Sequence, residues 1–315
     1  MINNFVFSIN TALPIFLVML IGLGLKKGRV IDDSFVKTAN TLVFYVALPI
    51  KLFYDVSQTD FFEAFDRQLL SFLIVATLAG IVLSWMVGKA TTKNAAELGA
   101  FIHGSFRGNF IYIGFSLIEN ITGSLHPKVP IIAAIMVPLY NILAVMILSY
   151  TASTSNTKDR MRKTVTSIFR NPMVLSIGAG IIASLLSLRI PAFMERTMSY
   201  FSALTIPLAL VAIGASFTIG KSMKSIKPSL AASMLKLVVF PLAAVTAAFY
   251  WGFRGEDLVL VYILFGVPTA TTSYIMTVAL KGDSEMAANI IMITTALSVV
   301  TMTLFVFAFK SLGII

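Results

Sequence analysis

The sequence predicts an all-α polytopic membrane protein, with ten transmembrane helices arranged as two inverted repeats of five. Apolar residues make up 57% of the chain and charged residues only 12%, with a mean hydropathy of +0.90. A soluble domain cannot cover its surface with so few charges, whereas a membrane bundle requires no more. Proline-marked apolar segments also recur at a fixed offset, and one segment in each half is interrupted at a matching place.

The repeat is most visible in the spacing of prolines. A spacing of 35 residues occurs in both halves, between Pro14 and Pro49 and again between Pro172 and Pro207. The interruptions follow at the same distance, at Asn109, 95 residues after the first proline of its half, and at Pro268, 96 residues after. Two halves with a broken fourth segment are typical of secondary transporters with a binding site near the bilayer midplane.

Ten apolar runs predict the ten helices, and 315 residues accommodate them at ~20 residues per span. The first run has no basic region before it, so we expect no cleavable signal peptide. The predicted helices are approximately 5–25, 34–56, 69–88, 97–118, 128–150, 172–189, 198–219, 228–251, 258–280 and 285–310.

Lysine and arginine in alternate loops predict the orientation. Fourteen of them lie in the loops that follow odd-numbered helices, and six lie on the other side. We therefore expect the first set to be cytoplasmic, with both termini outside. Five helices per half then make the second half enter from the opposite side. The predicted units are a first repeat, 1–150, a cytoplasmic linker, 151–171, and an inverted second repeat, 172–315.

The net charge of +10 belongs to these loops, so we expect the lipid bilayer as a partner and no nucleic acid. No Walker loop, His/Cys metal cluster, serine-protease-like set or intramembrane Asp pair is present in the sequence, and cysteine is absent. An enzyme is not expected, nor is any cofactor or metal.

The two interruptions, 105–110 and 266–274, predict the position of a ligand site. In hydrocarbon, a broken helix leaves backbone groups unpaired, at several kcal/mol each. Breaks at matching positions of an inverted repeat typically face a substrate cavity, where the half-helix termini bind the ligand. A lone break would be weaker evidence, because kinks in membrane helices are common.

Arg107 is the strongest candidate for binding a ligand. It lies near the middle of its predicted helix, where insertion of an arginine costs at least ~2.5–3.5 kcal/mol. No acidic residue lies deep in any predicted span. A central arginine without a carboxylate favours an anionic ligand, which a guanidinium can bind bidentately. The alternative is that it bonds backbone carbonyls and holds the helices together.

Uncharged residues at the same depth complete the candidate binding site, although capping or packing roles are also open to them. These candidates are Gly108, Asn109, Tyr112, Asn141, Pro268, Thr269, Thr271, Thr272 and Ser273. An intramembrane asparagine such as Asn141 usually bonds across helices.

Three further charged or titratable positions have simpler explanations. His103, one turn before Arg107, either takes up a proton during transport or packs as a neutral ring. Lys236 either reaches the membrane interface by snorkelling or supports the transport machinery. Lys51 and Asp55 are spaced for an ion pair within one helix.

The starts of both halves carry motifs that resemble one known family over essentially the whole chain. The motifs are Leu13-Pro14-Ile15-Phe16, Gly22-Leu23-Gly24, 42–49, Asn171-Pro172, Ser176-Ile177-Gly178, 206–210 and Gly214-Ala215-Ser216. They resemble the auxin efflux carrier family, which includes plant auxin exporters and bacterial carriers associated with malate and malonate.

The resemblance implies a scaffold of helices 1, 2, 6 and 7, which commonly dimerises, and a transport domain of helices 3–5 and 8–10 that moves as an elevator. It implies that helices 4 and 9 cross at their breaks, with Asn109 as the crossover asparagine and Pro268 as the second crossover proline. The chain departs from the plant pattern at Gly108, where a first crossover proline is expected, and it lacks a long hydrophilic loop. A small, more highly charged carboxylate is therefore expected rather than auxin.

The expected function is secondary transport of a small organic anion, best a dicarboxylate such as malate or malonate, across a bacterial inner membrane. Two alternatives remain open. One is a membrane sensor that binds the anion without translocating it, and the other is a sodium-coupled bile-acid-type carrier. The shortage of buried carboxylates argues against sodium coupling.

Overall fold

The computed structural model of the chain describes residues 1–152, 161–162, 165–166, 169–216 and 225–315. Most of the predicted linker, 151–171, lies outside the described residues. So do several of the basic positions that predict the orientation, namely Lys158, Arg160, Lys163, Lys221 and Lys224.

Helices occupy the positions of all ten predicted segments. The continuous ones are α1 (Ile2–Lys27), α2 (Asp33–Ser57), α3 (Arg67–Thr91), α5 (Lys128–Thr151), α6 (Pro172–Leu185), α7 (Ala192–Ala215), α8 (Ile226–Trp251) and α10 (Ser284–Ser311). Two are divided, into α4a (Ala95–Phe106) and α4b (Phe110–Thr122), and into α9a (Glu256–Gly266) and α9b (Thr272–Ala279). A short helix, Phe61–Ala64, precedes α3.

Among the described residues, seven helices are long and apolar enough to cross a membrane: α1, α2, α3, α5, α7, α8 and α10. The shorter α4b and α6 are also apolar. The prediction of an all-helical polytopic membrane protein with a broken fourth and a broken ninth helix is confirmed. The count of ten crossings and the division into two repeats stay predictions.

Polar caps determine where several helices begin. The side chain of the capping residue accepts a hydrogen bond from a backbone N–H in the first turn, which contributes about 0.5–2 kcal/mol per cap. The helices α2, α3, α4a, α6 and α10 begin in this way, at Asp32, Asp66, Asn94, Asn171 and Asp283.

The helices α1, α2, α6 and α7 pack on one another, with α1 along α7 and α2 against both α6 and α7. Two glycines bring α1 and α7 into backbone contact. A Cβ on Gly22 would collide with the carbonyl of Val211, and one on Gly214 would collide with the carbonyl of Met19. Only glycine permits so close an approach at these two places.

An ion cluster joins three other helices at one end of the bundle. The ammonium of Lys128, at the start of α5, lies 2.8 Å from a carboxylate oxygen of Asp66 and 2.6 Å from one of Asp257. Next to it, His126 Nε2 lies 2.8 Å from Glu256 Oε2. The loops that this cluster connects are loops that the charge pattern predicts to share the outer side. The side itself stays a prediction.

Candidate functional site

The breaks in α4 and α9 lie against each other as two antiparallel segments, which we call the crossing (107–109 and 267–271). The backbone N–H of Asn109 donates to the carbonyl of Pro268 at 2.7 Å. The N–H of Ala270 donates to the carbonyl of Arg107 at 3.1 Å. Each break therefore supplies hydrogen-bond partners for the other, which makes unwound backbone tolerable at membrane depth.

Thr269 holds the crossing together from within. Its hydroxyl donates to the carbonyl of Gly104 at 2.7 Å, and its N–H donates to the hydroxyl of Thr294 in α10 at 3.2 Å. The side chain is 2% exposed and is not part of any cavity wall described below. Its position supports the structural interpretation of this residue rather than ligand contact.

A cavity of about 270 Å³ opens beside the crossing. Its wall includes seven of the predicted site residues: Arg107, Gly108, Asn109, Tyr112, Asn141, Thr271 and Thr272. Pro268, Thr269 and Ser273 do not line it. The opposite wall comes from α2 and α6, through Phe44, Asn171 and Met173. The cavity thus lies between the α1–α2–α6–α7 group and the helices that carry the crossing.

Two half-helices begin at this cavity. Phe110 and Ile111 at the start of α4b line it, as do Thr271 and Thr272 at the start of α9b. The first N–H groups of a helix have no partner within that helix, and the helix dipole places positive charge there. Both features favour an anion in the cavity.

Arg107 is 7% exposed and points into the same space. One guanidinium nitrogen, Nη2, donates to Asn141 Oδ1 in α5 at 2.7 Å, and Nη1 lies 3.2 Å from the sulfur of Met276 in α9b. Among the described residues, no carboxylate forms an ion pair with it, and its side chain donates to no backbone carbonyl. The predicted bond of Asn141 across helices is confirmed. The positive charge of Arg107 stays available to a ligand.

His103 and Ser273 lie together away from the cavity. Both are 0% exposed, and the Ser273 hydroxyl lies 3.3 Å from His103 Nδ1. The imidazole also packs against the ring of Phe106, at 5.7 Å between centroids. These contacts are those of a packed histidine, and the predicted role in proton uptake stays untested.

Lys236 corrects one expectation. Snorkelling would leave its ammonium at the membrane surface, yet the side chain is 0% exposed. Its Nζ donates to the carbonyl of Phe265 at 2.8 Å, in the last turn of α9a. The helix that breaks there leaves carbonyls without intrahelical partners, and a buried ammonium satisfies one of them.

The predicted ion pair of Lys51 with Asp55 is confirmed at 3.2 Å. Lys51 also makes a shorter contact, which the sequence did not predict. The same ammonium lies 2.6 Å from Glu119 near the end of α4b, so it joins α2 to one of the helices of the crossing. Nearby, the amide of Asn120 donates to the carbonyl of Thr11 in α1 at 2.8 Å.

Sequence reasoning missed several wall residues. Met276 follows Thr272 by one helical turn, so helical periodicity from the predicted cluster would have indicated it. Tyr140 lies beside Asn141 and packs edge-on against Phe106, at 5.6 Å between ring centroids. Phe44 gave no signal, because it lies in an apolar run, 42–50, of a different helix.

Three π-helical turns adjoin this site. They are Val43–Ala47 in α2, which carries Phe44, Phe110–Gly114 at the start of α4b, which carries Tyr112, and Leu235–Val239 in α8, which carries Lys236. Such widened turns are rare and occur frequently at functional sites.

Comparison with known proteins gives a consistent picture. A family model described as membrane transport protein matches residues 7–306. An uncharacterized transporter of Methanocaldococcus jannaschii is 23% identical over 94% of this chain and 96% of its own length. A protein of Rhizobium meliloti named "putative malonate transporter" is 26% identical, over 93% of each chain. An uncharacterized transporter of Escherichia coli K12 is 24% identical over 86% of this chain and 87% of its own.

Proposed function

Because the chain belongs to the membrane transport protein family, the auxin efflux carriers, we propose that it is a secondary carrier of a small organic anion. The best substrate class is a short dicarboxylate such as malonate or malate. The name of the Rhizobium meliloti relative agrees with this class.

The observation that carries the proposal is the environment of Arg107. Arg107 is 7% exposed in the wall of a cavity, and its guanidinium is held by a neutral amide and a sulfur rather than by a carboxylate. A buried charge without a counter-ion is costly, and a carboxylate ligand would offset that cost through paired, charge-assisted hydrogen bonds.

The dimensions and polarity of the cavity support a small anion. Its volume of about 270 Å³ lies just below the range of roughly 300–1,000 Å³ that is typical of sites for drug-sized ligands. The half-helix starts of α4b and α9b would bind one carboxylate or both, with Asn109 and Thr271 as neutral donors beside them.

The mechanism we propose is alternating access of the elevator type. Helices α1, α2, α6 and α7 would form the scaffold, and α3–α5 with α8–α10 would carry the crossing past it. The position of the cavity between these groups supports this division. The scaffold would also form a homodimer, in a bacterial inner membrane. Chemical cross-linking of purified protein would test the dimer.

Uptake of radiolabelled malonate and malate into proteoliposomes preloaded with each unlabelled anion tests the function. A carrier accumulates label by counterflow, whereas a sensor shows none. Uptake that requires sodium would instead favour the bile-acid-type alternative. Indole-acetate serves as the monocarboxylate comparison.

Variants of Arg107 test the site. Arg107→Ala should lower uptake at low substrate concentration at least ~tenfold, since a hydrogen bond to a charged group is worth about 1.5–3 kcal/mol. Arg107→Lys should be intermediate, because lysine keeps the charge but loses the bidentate geometry. Arg189→Ala, in an exposed loop, is the matched control. Unchanged apparent affinity in Arg107→Ala would refute the assignment.

A further inference from the structure

Lys236 places its side-chain nitrogen inside the transmembrane bundle, next to both breaks. Its Nζ donates to the carbonyl of Phe265 at 2.8 Å, one residue before α9a ends. A Cβ built on Gly108, in the other break, would lie 2.9 Å from the same nitrogen. The ammonium therefore lies against both halves of the crossing, while Lys236 is not among the residues that line the cavity.

The carbonyl end of a broken helix is a cation site by its own chemistry. Unpaired carbonyls and the negative end of the helix dipole meet there. In carriers built from inverted repeats, such half-helix ends coordinate the coupling sodium ion or proton. Here the carbonyl end of α9a has a lysine ammonium as its partner.

No carboxylate among the described residues forms an ion pair with Lys236. The carbonyl of Phe265 and the dipole of α9a are then the main compensation for burying its charge. Stability alone therefore does not explain a lysine at this position, because an apolar residue of similar length would avoid the cost of desolvation. Its charge at this place requires another explanation.

We propose that Lys236 is a built-in cation, which occupies the position of a coupling ion at the carbonyl end of α9a. Anion transport by this chain then needs no sodium or other soluble metal cation. This part of the inference rests on the proposed function. The occupancy of the cation position does not, and it is testable without any substrate.

The first test measures the unfolding temperature of purified protein in detergent, in sodium, potassium or N-methyl-glucamine chloride at equal ionic strength. Wild type should show no preference. Lys236→Ala leaves a vacancy beside the carbonyls, so sodium or potassium should raise its unfolding temperature saturably. Lys236→Met is neutral and fills the space, so it should show no such rise. Lys227→Ala, at the start of α8, is the control and should behave as wild type.

The second test measures malonate uptake into proteoliposomes in the same salts. Wild type should transport equally in all three. Lys236→Ala should fall at least tenfold in N-methyl-glucamine and recover in part with the metal cation that stabilises it. Lys236→Met should fall without recovery.

Three results would overturn the proposal: sodium-dependent uptake by wild type, full uptake by Lys236→Met, or a folded Lys236→Ala protein with no response to any cation. If Lys236→Ala does not fold, the uptake measurements on wild type and Lys236→Met still test the proposal. If wild type transports none of the anions, the proposed function fails, and the unfolding measurements still decide on the cation position.

Discussion

Arg107 and Asn141 are joined by a hydrogen bond of 2.7 Å between Nη2 of the guanidinium and the side-chain oxygen of the amide. The bond connects the break of α4 to the middle of α5. Because the amide is neutral, it orients the guanidinium without cancelling its charge. Asn141 thus orients the guanidinium of Arg107, and the charge of the guanidinium stays available to a ligand.

Changing Asn141 to Asp should therefore reduce transport. A carboxylate at this distance would form a buried ion pair with Arg107, and a substrate would have to displace it. We expect uptake of malonate to fall at least ~tenfold, which corresponds to about 1.4 kcal/mol of competition. The protein should remain folded in size-exclusion chromatography. Asn4→Asp, at the bundle end, is the control, and wild-type uptake by Asn141→Asp would contradict the role of Arg107.

The glycine contact between α1 and α7 predicts a defect of stability. In Gly214→Ala, the new methyl group meets the backbone of Met19, so the two helices must separate. Overpacking of this kind costs typically 1–3 kcal/mol. Thermal unfolding in detergent measures it. In Gly178→Ala, the methyl group enters open space, and a gain of about 0.5–1 kcal/mol is expected from helix propensity.

The contact between Lys51 and Glu119 should favour the conformation described here. It joins the proposed scaffold to the proposed transport domain, so an elevator movement has to break it. Glu119→Gln should shift the population away from this conformation. Since the chain has no cysteine, Val137→Cys in the cavity wall gives a single labelling site. Because fewer molecules then have the cavity described here, this cysteine should react several-fold more slowly with an impermeant maleimide.

Glu195→Gln is the matched control for that shift. Glu195 accepts a hydrogen bond from the Tyr54 hydroxyl at 3.1 Å, and both residues belong to the proposed scaffold, in α7 and α2. Loss of this hydrogen bond should leave the labelling rate of Val137→Cys unchanged. Equal effects of the two variants would argue against a movement between these helix groups.

The environment of His126 should make the stability of the folded protein depend on pH. Burial lowers its pKa below 6.5, and the ammonium of Lys128 lowers it further, while Glu256 opposes both in part. The neutral ring fits the contacts, with Nε2 donating to Glu256 and Nδ1 accepting from the Lys128 N–H at 3.2 Å. Because the folded pKa lies below the unfolded one, this stability is complete above about pH 6.5 and is lost as the pH falls through the folded value.

The measurement is the unfolding temperature of wild type and His126→Gln between pH 7.5 and pH 5. Glutamine does not titrate, so the variant should lose less stability than wild type over this interval. Parallel curves would show that His126 carries none of the dependence.

The sequence predicts the broken helices well, because the interruptions at Asn109 and Pro268 fall at matching places of the two halves. It predicts the ion pair of Lys51 with Asp55 for a similar reason, since both lie on one helix at a fixed spacing. Relations within a single helix follow from the geometry of that helix.

Relations between helices are harder to predict. Thr269 and Thr271 belong to one polar cluster, yet the first bonds within the crossing and the second lines the cavity. An unwound segment has no periodicity from which to assign its faces. The contacts of Lys51 with Glu119 and of Lys236 with Phe265 join segments far apart in the chain. Single-sequence patterns contain no information about such pairs.

The crossing is joined by main-chain atoms, through the bonds of Asn109 with Pro268 and of Ala270 with Arg107. Backbone groups are present whatever the side chain, apart from the missing N–H of proline. Replacements among the residues around the cavity can therefore accumulate without dismantling the joint. In a framework of this kind, small changes in the lining would alter which ligand is bound, while the main-chain joint between the two broken helices stays the same.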